Sequence, residues 1–419
     1  MANPEAAERD LLQALRLDPR HAQTYNNLGR LYYRQGRIPE ALSYFKKTLR
    51  LDPTVWEAHY NMANCYAQQN NMEQAALHYA AVVAQQPTQA YAQFNLGLCY
   101  VALEDFIQAE QPLLMAFKQD PHLVEAARQL GHVSIALGKT EQAIAMFQQV
   151  LEQSEHNHQA EAHHNLAVLY LGSKNPEAAL KHFEATLKLD PHNQTAQHLC
   201  AALKGHAAPC TAPLVYVEQL FDQYAPYYNE HLKQTLAYTL PSQLRNAMAR
   251  CLTGNLKAGR VLDLGCGTGL CGIVFRDLAL ELVGIDLSTK MIAQATRLDT
   301  YEKLIQGDYQ AYLADPDLQP FDIIVASDVL VYRGDLQDLF DSLPKALVRG
   351  GSFVFSVETT TFVDSYQLKP SGRFAHAMAY IEKLAHAHNL SIVLQEEAIL
   401  RSDQQQSITG KIIVLRKAL

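Results

Sequence analysis

Prolines stand at positions 19, 53, 87 and 121, a constant interval of 34 residues, and Pro191 follows two periods and two residues later. Small residues keep the same beat at Ala41, Ala75, Ala109, Ala143 and Ala179. Larger side chains do so at Tyr32, Tyr66, Tyr100 and Tyr170, and at Phe45, Tyr79, Leu113, Phe147 and Phe183. A unit this short cannot bury its own apolar face, so units of constant length stack and share one continuous core. Within a unit the small residues let two helices approach closely, the large ones fill the gap, and proline begins the next pair.

This order of small, large and proline positions resembles the tetratricopeptide repeat. The register gives five full repeats, at 22–55, 56–89, 90–123, 124–157 and 160–193, after a partial helix carrying Ala7, Leu11 and Ala14. A capping helix is expected at 194–204. Stacked helix pairs curve around a concave face. The sixth position of each repeat reads Asn27, Asn61, Asn95, Gln129 and Asn165. A carboxamide offers a donor and an acceptor together, so such a ladder can pair with an extended peptide backbone, as similar ladders do in some members of the repeat family. A protein or peptide partner is therefore expected there.

The remaining length of the 419-residue chain calls for a second core. A net charge of -8 gives no basic field for nucleic acid or an anionic membrane. The seven cysteines are odd in number and never spaced C-x-x-C, which points to free thiols in a reducing compartment. No signal-peptide pattern follows Met1 and no apolar run is long enough to span a membrane, so a cytoplasmic location is expected.

Residues 260–265, RVLDLG, form an apolar strand pattern that leads through Cys266-Gly267-Thr268-Gly269 into a helical one. Such a loop brings backbone close to a ligand at a helix N-terminus. A second strand pattern ends at Asp286, a third at Asp308-Tyr309, and FDIIVASDVLVY carries Asp328. A strand at 352–358, a helix at 374–388 and strands near 391–400 and 410–416 continue the alternation, which implies a mostly parallel sheet with helices on both faces. Gly267, Gly269 and Gly272 also satisfy the G-x-G-x-x-G of dinucleotide folds. Asp263 separates the two readings: an acid attracts the cationic amine of S-adenosylmethionine, but would repel an anionic pyrophosphate at close range.

Residues 214–419 resemble a class I S-adenosylmethionine-dependent methyltransferase, and the order of domains resembles a group of predicted bacterial methyltransferases with tetratricopeptide repeats. FDQYAPYYNEHL and SGRFAH are the specific echoes. The implied architecture is an all-α solenoid at 1–205, a linker at 206–213, a helical lid at 214–253 and a Rossmann-like domain with a seven-stranded mostly parallel sheet at 254–419. On the same resemblance Asp263, Gly265, Gly267 and Gly269 cradle the methionine moiety and Asp286 takes the ribose. Asp308 meets the adenine amine, Leu287 and Tyr309 flank the ring, and Asp328 lies near the methionyl amine. Tyr224, Tyr228 and His231 are candidates for lid or substrate contacts.

At the pocket mouth Tyr332, Glu358 and His376 are candidate catalytic groups, and Arg373 is suited to pair with an anion. The acceptor signature of amino-methylating nucleic-acid enzymes is missing, and no metal-ligand spacing appears. A small acidic or hydroxylated metabolite and a protein remain as acceptors, with S-adenosylhomocysteine as product. The alternative is an interaction scaffold whose methyltransferase domain senses the donor or is inactive.

Overall fold

The computed structural model describes residues 4–154, 156–205, 209–225, 239–252, 258–361, 364–403 and 406–419. The chain divides into two compact units, Met1–Asp190 and Pro191–Leu419.

In the first unit helix α1 (Pro4–Leu17) is followed by helix pairs, the first four beginning at residues 22, 56, 90 and 124 and the fifth at His156, four residues before the expected 160. They are α2 (Ala22–Arg34) with α3 (Ile38–Leu51), α4 (Trp56–Gln68) with α5 (Met72–Gln85), and α6 (Ala90–Ala102) with α7 (Phe106–Gln119). The pairs α8 (Val124–Ala136) with α9 (Thr140–Gln153), and α10 (His156–Gly172) with α11 (Pro176–Leu189), complete the array. Ala41, Ala75, Ala109, Ala143 and Ala179 are fully buried, as are Phe45, Leu113, Phe147 and Phe183. The approach within a pair is close enough that a Cβ on Gly29 would lie 2.4 Å from the Phe45 ring, and one on Gly131 would lie 2.9 Å from Phe147.

Two repeats carry the same histidine pair. His59 and His78 face each other Nδ1 to Nδ1 at 2.9 Å, as do His163 and His182. A tyrosine stacks on the second member of each, Tyr66 on His78 and Tyr170 on His182. Burial lowers the pKa of His59, His163 and His182 and brings His78 down to about 4.

The second unit opens with α12 (Gln194–Lys204) and α13 (Leu214–Tyr224). The helix expected to cap the repeats thus belongs to the second compact unit. There His198 donates from Nε2 to the carbonyl of Gly372 at 2.9 Å and packs against Tyr216 and Phe374. Helix α14 (Leu240–Cys251) precedes the sheet, whose strands are β1 (Ala258–Leu264), β2 (Ala279–Asp286), β3 (Lys303–Gln306), β4 (Phe321–Ala326) and β5 (Leu347–Thr359). They continue as β6 (Tyr366–Leu368), β7 (Phe374–His376), β8 (Leu390–Asp403) and β9 (Gln406–Lys417).

The order is β3-β2-β1-β4-β5-β7-β6, with β9 paired to both β5 and β8. Pairs within β3-β2-β1-β4-β5-β7 are parallel, whereas β6 with β7, β5 with β9 and β8 with β9 are antiparallel. The described residues therefore hold nine strands where seven were expected. The added β6–β7 hairpin includes SGRFAH, whose last three residues were expected to begin a helix at 374; that helix, α19 (Met378–Ala387), begins only after β7. Between the strands lie α15 (Leu270–Phe275), α16 (Thr289–Thr296), α17 (Tyr309–Leu313) and α18 (Gln337–Ala346). Successive side chains of β1 alternate between two cores, with Leu262 and Leu264 on one face and Val261 on the other.

Candidate active site

The C-terminal ends of β1, β2, β3 and β4 bring most of the sequence-predicted residues to one edge of the sheet. After β1 the chain turns through Gly265 (φ 62°), Gly267 (φ 54°) and Gly269 (φ 91°), all in the left-handed region. A Cβ on Gly265 would strike Val329 at 2.6 Å, so the segment after β4 leans directly on this loop. A Cβ on Gly267 would meet nothing within 4 Å; that glycine faces open space.

Asp263 is only 1% exposed. Its Oδ2 accepts a 2.7 Å hydrogen bond from the Tyr301 hydroxyl, which in turn accepts from the backbone N–H of Gly272 at 3.0 Å. Its Oδ1 is buried with no hydrogen-bond partner. Burial pushes the Asp263 carboxyl up to about 7, aided by the nearby charge of Asp286 and opposed by the Tyr301 hydrogen bond. Asp286 accepts from the Gly267 N–H on one oxygen and the Ser288 N–H on the other, both at 2.8 Å, so it clasps the glycine loop. Burial raises its pKa as well. Asp222 on α13 accepts from the Ser288 hydroxyl and ties that helix to the end of β2. Tyr301 stands in no motif, and Asp222, although it lies within FDQYAPYYNEHL, was not singled out there.

Asp308 caps α17 by accepting from the Gln310 N–H at 3.1 Å, and Arg333 approaches it at 3.4 Å while lying 5.1 Å over the Tyr309 ring. Leu287 packs with Phe221, Val331 and Tyr332 in one apolar cluster.

Asp328 adopts a left-handed backbone (φ 58°) and donates its N–H to the Ser356 hydroxyl at 2.9 Å. Its carboxylate pairs with Arg401 at 2.5 Å and Arg373 at 3.8 Å. It is thus a shared counter-ion for two guanidiniums, at a position expected to lie near the methionyl amine. Arg401 reaches on to Glu358, whose other oxygen meets Lys369 at 3.1 Å. Burial alone would raise the pKa of Glu358, but Arg401 and Lys369 hold it below the ordinary carboxylate range. That pairing removes Glu358 as a ready proton acceptor.

His376 is fully buried on β7, and its Nε2 points at the carbonyls of Arg333 (2.9 Å) and Gly334 (3.1 Å). Two carbonyl partners require that Nε2 carry the proton and donate. Burial pulls the ring down to about 4. These contacts make His376 a brace for the 333–334 turn, contrary to its expected place at the pocket mouth. Tyr332 is 7% exposed between the Phe221 ring edge and the Arg373 guanidinium, 5.7 Å above it, and burial raises its pKa. The side chain of Tyr224, and Tyr228 and His231 altogether, lie outside the described residues.

In the first unit two of the five carboxamides link neighbouring repeats. Asn61 donates to Asn26 at 3.1 Å and Asn95 to Tyr60 at 3.2 Å, whereas Gln129 bonds Glu125 of its own helix at 3.2 Å. Asn27 and Asn165 are half-buried.

Residues 262–353 match a methyltransferase domain family. Residues 1–55, 27–90, 60–123 and 123–191 match tetratricopeptide repeat families. The chain is 31% identical over 153 residues to a malonyl-[acyl-carrier protein] O-methyltransferase of Enterobacter lignolyticus, covering 36% of this chain and 55% of that protein. It is 31% identical over 142 residues to a ubiquinone biosynthesis O-methyltransferase of Idiomarina loihiensis, covering 32% and 56% respectively. The chain therefore spans about half the length of these curated relatives. A solved structure of YrrB, described as a TPR protein with an unusual peptide-binding site, aligns with 24% identity and a TM-score of 0.42 over 45% of this chain and 96% of that one. No helix among the described residues is long and apolar enough to cross a membrane. The chain carries tetratricopeptide repeats followed by a methyltransferase domain.

Proposed function

We propose that the second unit binds S-adenosylmethionine at the edge formed by β1, β2 and β3 and transfers its methyl group to an oxygen acceptor. The observation that carries this reading is the unpartnered Oδ1 of Asp263, buried beside a glycine loop. An unpaired buried carboxylate is costly, and a cationic amine is the group that relieves it. A dinucleotide would bring its pyrophosphate towards the same charge, which disfavours the competing use of the loop. Gly265, Gly267 and Gly269 would cradle the methionine moiety, and the open space at Gly267 suits a ligand lying across it. Asp286 keeps lone pairs for ribose hydroxyls beyond its two backbone contacts. Asp308 would accept from the adenine amine, with Leu287 and Tyr309 against the ring.

Bound there, the donor supplies an electrophilic methyl group. The chain's own contribution is to align an acceptor and exclude water. The O-methyltransferase relatives support an oxygen acceptor, on a small acidic or hydroxylated metabolite or on a protein. The repeats would recruit a protein partner, with Asn27, Asn61, Asn95, Gln129 and Asn165 facing its backbone. Calorimetry with S-adenosylmethionine and S-adenosylhomocysteine tests the donor site: both bind, and Asp286→Ala abolishes or severely weakens them. Binding untouched by that change would overturn the assignment. Capture of a partner by the full chain, unaltered when Asn27, Asn61 and Asn95 are replaced by Ala, would remove the carboxamide ladder from the account.

A further inference from the structure

We propose that the acceptor oxygen belongs to a carboxylate, received by Arg373 beside the glycine loop; this rests on the methyltransferase reading above. The cluster beyond β4 and β5 holds three cations, Arg373, Arg401 and Lys369, against two carboxylates, Asp328 and Glu358. Arg401 is 8% exposed and spans both acids, while Lys369 takes the other oxygen of Glu358. Arg373 is left with a loose 3.8 Å contact to a carboxylate that Arg401 already holds at 2.5 Å. The surplus positive charge thus falls on Arg373, whose side chain is 26% exposed and whose guanidinium lies over the Tyr332 ring. A planar guanidinium presents a fork that matches two carboxylate oxygens.

Contacts join this cation to the donor loop. Arg373 meets Asp328, and the next residue, Val329, lies where a Cβ on Gly265 would be. Arg373, in the turn before β7, is therefore linked to the glycine loop through the Asp328–Val329 segment that follows β4, the strand beside β1.

The state of the three candidate proton acceptors agrees. Glu358 is held between two cations, His376 directs its Nε2–H at two carbonyls, and Tyr332 is buried. A hydroxyl or amine acceptor must lose a proton during transfer. A carboxylate has already lost it. One of its oxygens gives a lone pair to the methyl carbon, the carbon–sulfur bond breaks, and that bond's electron pair stays on sulfur. The products are a neutral ester and a neutral thioether, and no proton moves. Two opposite charges disappear together, a change that a buried, poorly hydrated site favours.

The test uses the full-length chain and S-adenosylmethionine labelled in its methyl group, incubated with the small-molecule and protein fractions of a lysate. Label carried as a carboxyl ester is released as volatile methanol by mild alkali; label that stays bound after alkali would overturn the proposal. Calorimetry on the S-adenosylhomocysteine complex adds a readout apart from turnover. Malonate and glutarate should bind where their dimethyl esters do not, and Arg373→Gln should weaken them at least roughly tenfold, with Arg373→Lys keeping part of the affinity. If Arg373→Gln instead weakens S-adenosylmethionine to the same extent, Arg373 holds the donor's own carboxylate and the proposal falls. Loss of the underlying reading looks different: neither donor nor product then binds the unaltered chain.

Discussion

Asp263 and Asp328 both follow the logic of an acid at the end of a parallel strand, yet the fold treats them in opposite ways. Asp263 receives one hydroxyl and is left with a buried oxygen that nothing in the described structure satisfies. Asp328 is surrounded by guanidiniums, one of them from Arg401, 73 residues further along the chain. The first arrangement leaves a buried oxygen for the cation proposed above. The second is already satisfied, and hands its excess positive charge to Arg373. A strand-end acid is therefore a site for a ligand only when the rest of the fold leaves it unpaired.

The contrast can be broken most forcefully at Arg401. Replacing it with Met leaves Asp328 and Glu358 facing each other in a poorly hydrated cluster, and removing one partner of a buried ion pair costs about 3–5 kcal/mol. A large fall in thermal midpoint is expected; a midpoint within error of the unaltered chain would mean that the pairing is not structural. Close packing in the repeat unit is the next test. Gly29→Val pushes carbon into the Phe45 ring and should destabilise that unit by about 1–3 kcal/mol, read as faster hydrogen exchange in α2 and α3.

Asp263→Asn should do the reverse of Arg401→Met in the ligand-free protein. The folded pKa of Asp263 lies near 7 against an ordinary 3.8, so the folded state holds that proton more tightly than the unfolded one. Its contribution to stability therefore declines as pH rises from 3.8 to about 7. An amide has no charge to bury and can still accept from Tyr301, so the midpoint at pH 8 should rise, by roughly 2–4 °C per kcal/mol regained.

The smallest effect concerns the histidine pairs, where the sign is opposite. His59, His78, His163 and His182 have depressed pKa values, so unfolded chains bind protons first on acidification. Stability of the repeat unit should be intact above about 6.5 and decline as pH falls towards 4. Urea melts across that window should flatten when His78 and His182 are changed to Phe.

How much of this was legible in the sequence follows from where each partner sits. The first helices of the first four repeats start where the period places them, because the contacts within a pair recur at fixed spacing, as those of Phe45 with Gly29 and Phe147 with Gly131 do. The glycine loop and Asp286 were equally legible, being local to one strand-turn-helix unit. What escaped was delivered from far away: Tyr301 to Asp263, Asp222 to Ser288, and Arg401 to both Asp328 and Glu358. The β6–β7 hairpin escaped for another reason. Phe374, Met378 and Ile381 fit a helical stripe, and only pairing with β5 and β6 makes the first of them a strand residue. His376 moved with it, from an expected pocket mouth to a buried brace.

We propose above all that the unpaired carboxylate of Asp263 meets the amine of S-adenosylmethionine. Calorimetric titration of the unaltered chain and of Asp263→Asn with S-adenosylmethionine tests it most directly. The expected result is saturable binding to the unaltered chain, weakened by roughly tenfold or more in a variant that still melts cooperatively. Equal affinity in the two proteins, or no binding by the unaltered chain while a nicotinamide dinucleotide binds, would contradict it.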